Sequence, residues 1–515
     1  MKLCRDLFRG VLASAGAGCI TLVSAGTLAA QVPNFAMVYG DIRNDEGRSI
    51  LYSSDDTYVS AGTTDRTTSD IFVVKTDRCG NILWSNAYDL GGNEVARSIK
   101  QGPDKNYVIT GMSTTANNMG DAFLLKIQPN GSILWARTYG ENATYEIGND
   151  LRIDPATAEI YVGGATDHAG AGADDGWIFK TTLNGVQLWS RTYGGTNQDE
   201  FEGIELGCDE VVAVGVTRSH WTWEGVNRID QDVYAVRVAK SNGAVTWGYR
   251  YGNTDSDEWG NAVLKNGISS FYIGGGMDDA NGIRRELLLE GHCAGGFLAD
   301  EMTYVSANPT TGQSDCEIHD IQELPGTSIV AVGAWGDRAV GRYNLHIMPV
   351  DALTLLPIWS IGYGMYPLFG IGGTEIGYGV TVTPQDPFTL DYNIVATGLS
   401  NDPDIAQLGA DDMFIVAADR NGYVGCLDNT EPMRAIDPNF DDLLLYPIVT
   451  DHMRTTTPVR RRDTFGTSEI YCQSCPPEGI IAPPTLETPE LGDGTVLRRS
   501  TNGAMVAATM TPVAP

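Results

Sequence analysis

The chain has 515 residues, and its 34 Lys and Arg face 65 Asp and Glu, a formal net charge of −31. So acidic a surface repels phosphate backbones and argues against nucleic acid as a partner. Beyond the N-terminal segment no run of about 18 apolar residues occurs, so no transmembrane segment is expected.

Residues 1–30 read as a secretory signal peptide. Lys2, Arg5 and Arg9 form a basic start, Val11 to Leu28 is uncharged and rich in Ala, Gly and Leu, and small residues precede Gln31. A lipid anchor through Cys19 is disfavoured, because Gly16 stands where a lipobox wants a Leu-like residue. The expected location is therefore secreted or cell surface. Without its signal the chain carries 31 basic and 64 acidic residues, net −33, which suits a solvated extracellular protein and could attract Ca²⁺ or a basic partner.

Seven cysteines remain after removal of the signal: Cys79, Cys208, Cys293, Cys316, Cys426, Cys472 and Cys475. An odd count in an exported chain leaves at least one thiol unpaired or intermolecular. Cys472-Gln-Ser-Cys475 has the spacing of a redox or zinc half-site. With no second such pair and no βαβ pattern around it, a tail disulfide, with Cys426 as a partner, is the expectation.

From Asn34 onward one unit recurs. Asp121–Gly140, DAFLLKIQPNGSILWARTYG, alternates apolar and other residues with period two, turns at Pro129-Asn130-Gly131, and continues as a Trp-bearing strand. Copies stand at Asp70–Asp89, Asp175–Gly194 and Asp232–Gly252. Two shorter strands precede each hairpin, the second ending in Gly, so each unit holds four strands. The Trp marker falls at 84, 135, 189, 247 and 359, and the last interval of 112 hides a degenerate unit, with Phe297–Tyr304 in place of the Trp strand. Sets of first to third strands number seven, at 46–75, 94–126, 146–180, 200–238, 258–290, 315–348 and 375–417, but only six fourth strands follow them. The seventh stands at the other end of the chain, where Asn34–Gly40 matches the end of SILWARTYG. The fold expected is all-β: a seven-bladed β-propeller over residues 31–425, closed by the N-terminal strand, which removes exposed edges at the seam.

These units resemble a family of secreted bacterial seven-bladed propeller repeats that read roughly D-F-x-x-x-K-x-x-x-x-G-x-x-x-W-x-x-x-Y-G-G. The resemblance spans residues 34–425 and implies the fold, export and often a cell-surface location, without implying a common reaction. Turns ending in Trp, such as Ala239 to Trp247, also look like the W-motif of quinoprotein dehydrogenases, but the eight blades and vicinal Cys pair of those enzymes are not found here.

After Cys426 the pattern stops. Residues 426–475 read as a C-terminal extension packed as extended strands on the propeller, with Arg460-Arg461-Arg462 as a solvated face. Residues 476–515, rich in Pro, Thr and Ala, are expected to be disordered.

Regular spacing marks the five tryptophans as packing between blades, and Asp70, Asp121, Asp175, Asp232 and Asp412, each before a third strand, as loop braces. The irregular loop 217–231 of the fourth blade carries His220, Trp221, Trp223, Glu224 and Arg228, a set suited to a sugar ring or a protein hot spot; the alternative is that its tryptophans cover its own base. Asp255, Asp257 and Glu258 alternate like the opening of a calcium loop, but Glu258 stands where an EF-hand requires Gly and the terminal Glu is missing. Ca²⁺ is thus the only ion suggested. No HExxH, GxSxG or P-loop pattern occurs, and His319-Asp320 on an innermost strand reads as packing or channel lining. The leading expectation is a non-catalytic exported module that binds a protein or glycan at the cell surface. The alternatives are a polysaccharide-active enzyme with carboxylates near the channel mouth, or a structural subunit of a surface assembly.

Overall fold

The computed structural model describes residues 33–424 apart from short loop segments (the longest at 115–118, 307–313, 365–372 and 402–410), and after them the backbone of seven short strands. The signal-peptide reading lies outside the described residues. Seven antiparallel sheets follow one another along the chain. In blade 1 the strands are Asp45–Tyr52, Tyr58–Asp65, Ser69–Thr76 and Ile82–Asp89, paired in sequence order. Blades 2 to 6 repeat this over residues 93–139, 146–193, 199–252, 257–306 and 314–363. Blade 7 takes Glu375–Val382, Asn393–Ser400 and Asp412–Asp419 from its own stretch and Phe35–Gly40 from the N-terminus, with Phe35 opposite Ala417 and Tyr39 opposite Met413. The ring closes by the strand that the repeat count demands.

The core is not one body but seven layers. Each of seven clusters of buried apolar side chains joins two neighbouring blades, and the cluster that holds Phe35, Met37 and Tyr39 against Ile50, Tyr58 and Phe72 lies across the closure. A blade thus has no core of its own and gains one only from its neighbours.

The repeat motif is the latch between these layers. In every blade the Tyr near the end of the fourth strand is fully buried and donates its hydroxyl to a carbonyl in the hairpin turn of the next blade. Tyr39 reaches Gly80, Tyr88 Gly131, Tyr139 Gly185, Tyr193 Gly243, Tyr304 Leu355 and Tyr363 Gly422, at 2.7–2.8 Å, and Tyr251 reaches Gly296. The Trp and the Lys or Arg of the motif converge on another carbonyl of that same turn. Trp84 Nε1 and Lys75 Nζ both donate to Pro129 O, Trp189 and Lys180 to Lys240 O, and Trp247 and Arg237 to Cys293 O. Trp189 and Trp247 are buried, whereas Trp84, Trp135 and Trp359 are half-buried against the seams. The disulfide Cys208–Cys293 staples blade 4 to blade 5 at one of these turns, and Cys79 is disulfide-bonded as well. The expected tail disulfide involves side chains outside the described residues.

Beyond the propeller, the extension lays a fifth strand on five blades: Asp428–Thr430 on blade 6, Met433–Ile436 on blade 5, Asp441–Leu444 on blade 4, Arg460–Asp463 on blade 1 and Thr467–Gln473 on blade 7. Within 476–515 the described backbone is a two-stranded ladder, Thr495–Arg499 with Met505–Thr509.

Candidate functional site in the central channel and its mouth

The first strand of every blade lines the central channel, and in every blade that strand carries a β-bulge. The register of pairing to the second strand skips one residue at Arg48, Arg97, Asn149, Glu202, Asn261, His319 and Tyr378. A bulge leaves its residue out of the ladder and re-aims its side chain. All seven of these residues line the channel or its mouth. The second strand makes room for the bulge with a glycine. A Cβ on Gly62, Gly111, Gly164, Gly215, Gly275, Gly333 or Gly398 would lie 1.7–1.9 Å from a carbonyl oxygen of the facing first strand. The Gly that ends each second strand in the sequence is therefore the counterpart of the bulge.

Seven identical backbone devices thus present seven mostly different side chains, the reverse of the latch. The Arg48 guanidinium forms a bidentate pair with Glu46 at 2.9 Å and lies 3.9 Å from the centre of the Tyr378 ring, which also faces His319 at 5.1 Å. Asn149 Nδ2 donates to Glu200 Oε1 at 2.9 Å and to Phe201 O at 3.1 Å. Deeper along the strands, Asp150 accepts from Arg152 at 2.7 Å and from Ser98 Oγ at 2.7 Å. Asp320 accepts the backbone N–H of Val380 in the next blade. Burial, and next the neighbouring Glu200, raise the Glu202 carboxyl to about 7. Burial likewise raises Asp320 to about 6, against the pull of Lys100, and lowers the His319 imidazole. His319-Asp320 therefore lines the channel, and its members face different partners.

At the mouth the channel widens between blades 4, 5 and 6 into a cavity of about 350 Å³. Trp259 stands in its wall and donates Nε1 to Glu317 Oε1 at 2.7 Å, which also accepts Asn261 Nδ2 at 2.9 Å. The Arg284 guanidinium lies 4.9 Å from the Trp259 ring and pairs with Asp278 at 3.0 Å and Glu317 at 3.3 Å. Arg218 and Gln231, at the two ends of loop 217–231, complete the wall and hold each other at 2.7 Å. The arrangement offers acids, amides and guanidinium groups of fixed orientation around one aromatic ring. It can bind a compact polar molecule through many directed hydrogen bonds.

Of the residues expected to bind, His220, Trp221, Glu224 and Arg228 lie outside the described residues. Trp223 has a described backbone alone, in a two-residue ladder opposite Val226. The structure brings the base of their loop, Arg218 and Gln231, to the channel mouth. For the suggested ion, Asp255 lies outside the described residues. Asp257 is exposed and accepts the Gln231 N–H at 3.0 Å. Glu258 is fully buried at the seam of blades 4 and 5, beside Asp232, and burial first, then the Asp232 and Asp230 charges, raise it to about 8. Neighbours on one strand, the two residues point to opposite sides.

Glu258 belongs to a repeated device that also accounts for the five aspartates. At Gly40, Gly140, Gly194 and Gly252 the side chain of the Asp that opens the third strand meets the acid that opens the next blade: Asp412 with Asp45, Asp121 with Glu146, Asp175 with Asp199, Asp232 with Glu258. Several of these acids take a hydroxyl from the second strand, as Glu94 does from Ser113 at 2.8 Å and Glu375 from Ser400 at 3.1 Å. At the seam of blades 1 and 2, Asp89 replaces the glycine. Asp70, Asp89 and Glu94 then bring three carboxylates, all buried, within 4.8 Å of one another. That group could hold a cation, and Arg460 of the extension stands opposite Asp89 in the ladder.

No signal in residue identity marks the bulge ring, because its members share no chemistry. A structural signal does exist: a small residue precedes the bulge in five blades, at Gly47, Ala96, Gly148, Gly260 and Gly377. No protein-family model matches the chain, and neither does any curated protein. Among solved structures, a protein of unknown function from Dyadobacter fermentans aligns at 10% identity over 75% of this chain and 97% of that one, with a TM-score of 0.43. The quinohemoprotein alcohol dehydrogenase of Comamonas testosteroni aligns at 8% identity over 74% and 76%, with a TM-score of 0.35. A europium-containing methanol dehydrogenase aligns at 10% identity over 75% and 93%, also at 0.35. Likenesses this loose carry no inference about chemistry, and the chain stands as a seven-bladed β-propeller on its own strands and register.

Proposed function

We propose that this chain is an exported propeller of the secreted repeat type that binds a glycan at the cell surface through the channel mouth between blades 4 and 6. One observation carries the reading. The cavity there sets an aromatic ring, Trp259, among oriented acceptors and donors of both signs, the lining that suits a ring of hydroxyl groups with an apolar face. The Lys, Trp and Tyr of the repeat are consumed in joining blades. Loop 217–231 begins and ends beside this cavity, with Arg218 and Gln231 in its wall. An oligosaccharide array probed with purified native chain and with Glu317→Gln tests this. Binding by the native chain that the variant loses supports the reading, and equal binding by both removes the mouth as the site.

A second reading rests on Glu202. Its carboxyl is pushed to about 7, whereas Glu317 in the same cavity is held by donors from Trp259, Asn261 and Arg284. Two acids in one cleft, one of them raised by burial, are the kind of pair that glycoside hydrolysis uses. Release of reducing ends from an array-positive polysaccharide, lost in Glu202→Gln with binding retained, would favour the enzyme; intact polysaccharide leaves the binding module.

A further inference from the structure

The polar groups around the mouth cavity are unequally used. Of its four lining acids, Asp278 gives both oxygens to Arg284, at 3.0 and 3.2 Å. Glu317 accepts from Trp259, Asn261 and Arg284. Asp257 accepts one backbone N–H, from Gln231. Glu202 takes part in no hydrogen bond or ion pair among the described residues. The donors, by contrast, are spent. Arg218 gives its guanidinium to the amide oxygens of Gln231 and Gln198, Arg284 is shared between Asp278 and Glu317, and Trp259 and Asn261 both donate to Glu317.

Glu202 is the bulge residue of blade 4, so the backbone sets its side chain apart from the ladder. Arg97 and Arg48, the cations that act on it, form no ion pair with it, and Arg48 is taken by Glu46. Burial, and next Glu200, hold its carboxyl at about 7. Four acids against two guanidinium groups leave the cavity short of positive charge. A ligand that complements it donates more than it accepts and is itself a cation. A uronate or sulfated sugar meets the opposite, with both guanidinium groups engaged and an unpaired carboxyl in the same lining.

We propose, on the binding reading above, that the glycan at the mouth carries an unacetylated amino sugar, and that Glu202 receives its ammonium group. An ammonium brings three donors to oxygens with open lone pairs, and its charge favours the ionised form of Glu202. The exposed Asp257, with one N–H already accepted, offers a further acceptor. N-acetylation removes the charge and two of the three donors, so it removes what the lining lacks.

Calorimetry at neutral pH with short oligosaccharides of one length tests this: a glucosamine trimer, its N-acetylated form and a galacturonic acid trimer. Native chain should bind the glucosamine trimer at least about tenfold more tightly than the N-acetylated one, the scale of one charge-assisted contact, and the uronate most weakly. In Glu202→Gln, checked by its melting curve, the ratio between the first two should fall to about one. Equal affinities in the native chain, or tightest binding of the uronate, overturn the amine and leave the mouth as a glycan site; that measurement decides even if the variant fails to fold. A preference that survives in Glu202→Gln belongs to the acidic surface at large, and overturns the assignment. Spermidine, an amine without a sugar ring, bound as tightly as the glucosamine trimer overturns the sugar class. Binding of no glycan on the array rejects the binding reading itself, and the amine with it.

Discussion

Gly164 and Gly163 are neighbours in the second strand of blade 3, and replacing each with Ala separates the bulge from ordinary packing. A Cβ at Gly164 would lie 1.8 Å from Ile147 O and 3.1 Å from the Cα of Gly148, both backbone atoms that have no rotamer to yield. Relief requires the facing first strand to retreat by more than about 1 Å, which breaks one or two ladder hydrogen bonds at about 1 kcal/mol each and adds an overpacking cost of about 1–3 kcal/mol. The sum is roughly 2–5 kcal/mol. A Cβ at Gly163 meets nothing nearer than the Ile204 Cβ at 3.3 Å, and loss of glycine's unfolded-state freedom returns about 0.4–1 kcal/mol, so its net effect should stay within about 1 kcal/mol of zero. Chemical denaturation of the two variants beside the native chain reads both numbers. Equal costs, or a tolerated Gly164→Ala, would refute the account of the bulge.

The latch predicts that Tyr139→Phe, which strips the donor from the buried carbonyl of Gly185, costs about 1–3 kcal/mol in the same assay and leaves the mouth intact. Ring closure predicts that deletion of 31–40 lowers stability of the whole propeller; an unchanged thermal midpoint would contradict it. The seam acids predict a pH profile. Burial raises Asp45 to about 6, Glu94 to about 7 and Glu258 to about 8, above their unfolded values, so the stability they contribute is complete below those unfolded values and falls as pH rises toward about 8. Asp55, Asp104 and Asp279, held low by their partners, act in the opposite sense and lose their contribution in acid. Thermal midpoints should therefore decline from about pH 5 to about pH 8, and a flat or rising profile would show that the seam acids stay ionised.

The blade number and the N-terminal closure were legible because they depend on period, and period survives the loss of a single marker, as in Phe297–Tyr304, which lacks the Trp. The tryptophans were legible as packing for the same reason. The latch role of Tyr39 to Tyr363 is invisible in sequence, since their common partner is a carbonyl in the next blade and backbone atoms leave no trace there. Cys208–Cys293 spans 85 residues and becomes evident only when blades 4 and 5 stand side by side. The channel was the least legible part. Its residues share a place in the ladder, not a chemistry, so the features that make a repeat visible hide the residues that differ. The irregular loop 217–231 stands out from the repeat for the same reason, and its base lies at the mouth.

The measurement that bears most directly on the proposed function is calorimetric titration of an array-positive oligosaccharide into native chain, Trp259→Ala and the double variant Trp221→Ala with Trp223→Ala, each with its melting curve. The account predicts that Trp259→Ala weakens binding by at least about thirtyfold, the scale of a 2 kcal/mol anchor, while the melting temperature stays near native. The loop variant should weaken binding less. Native affinity in Trp259→Ala, with binding abolished in the loop variant, would contradict the assignment and move the site from the channel mouth to the loop.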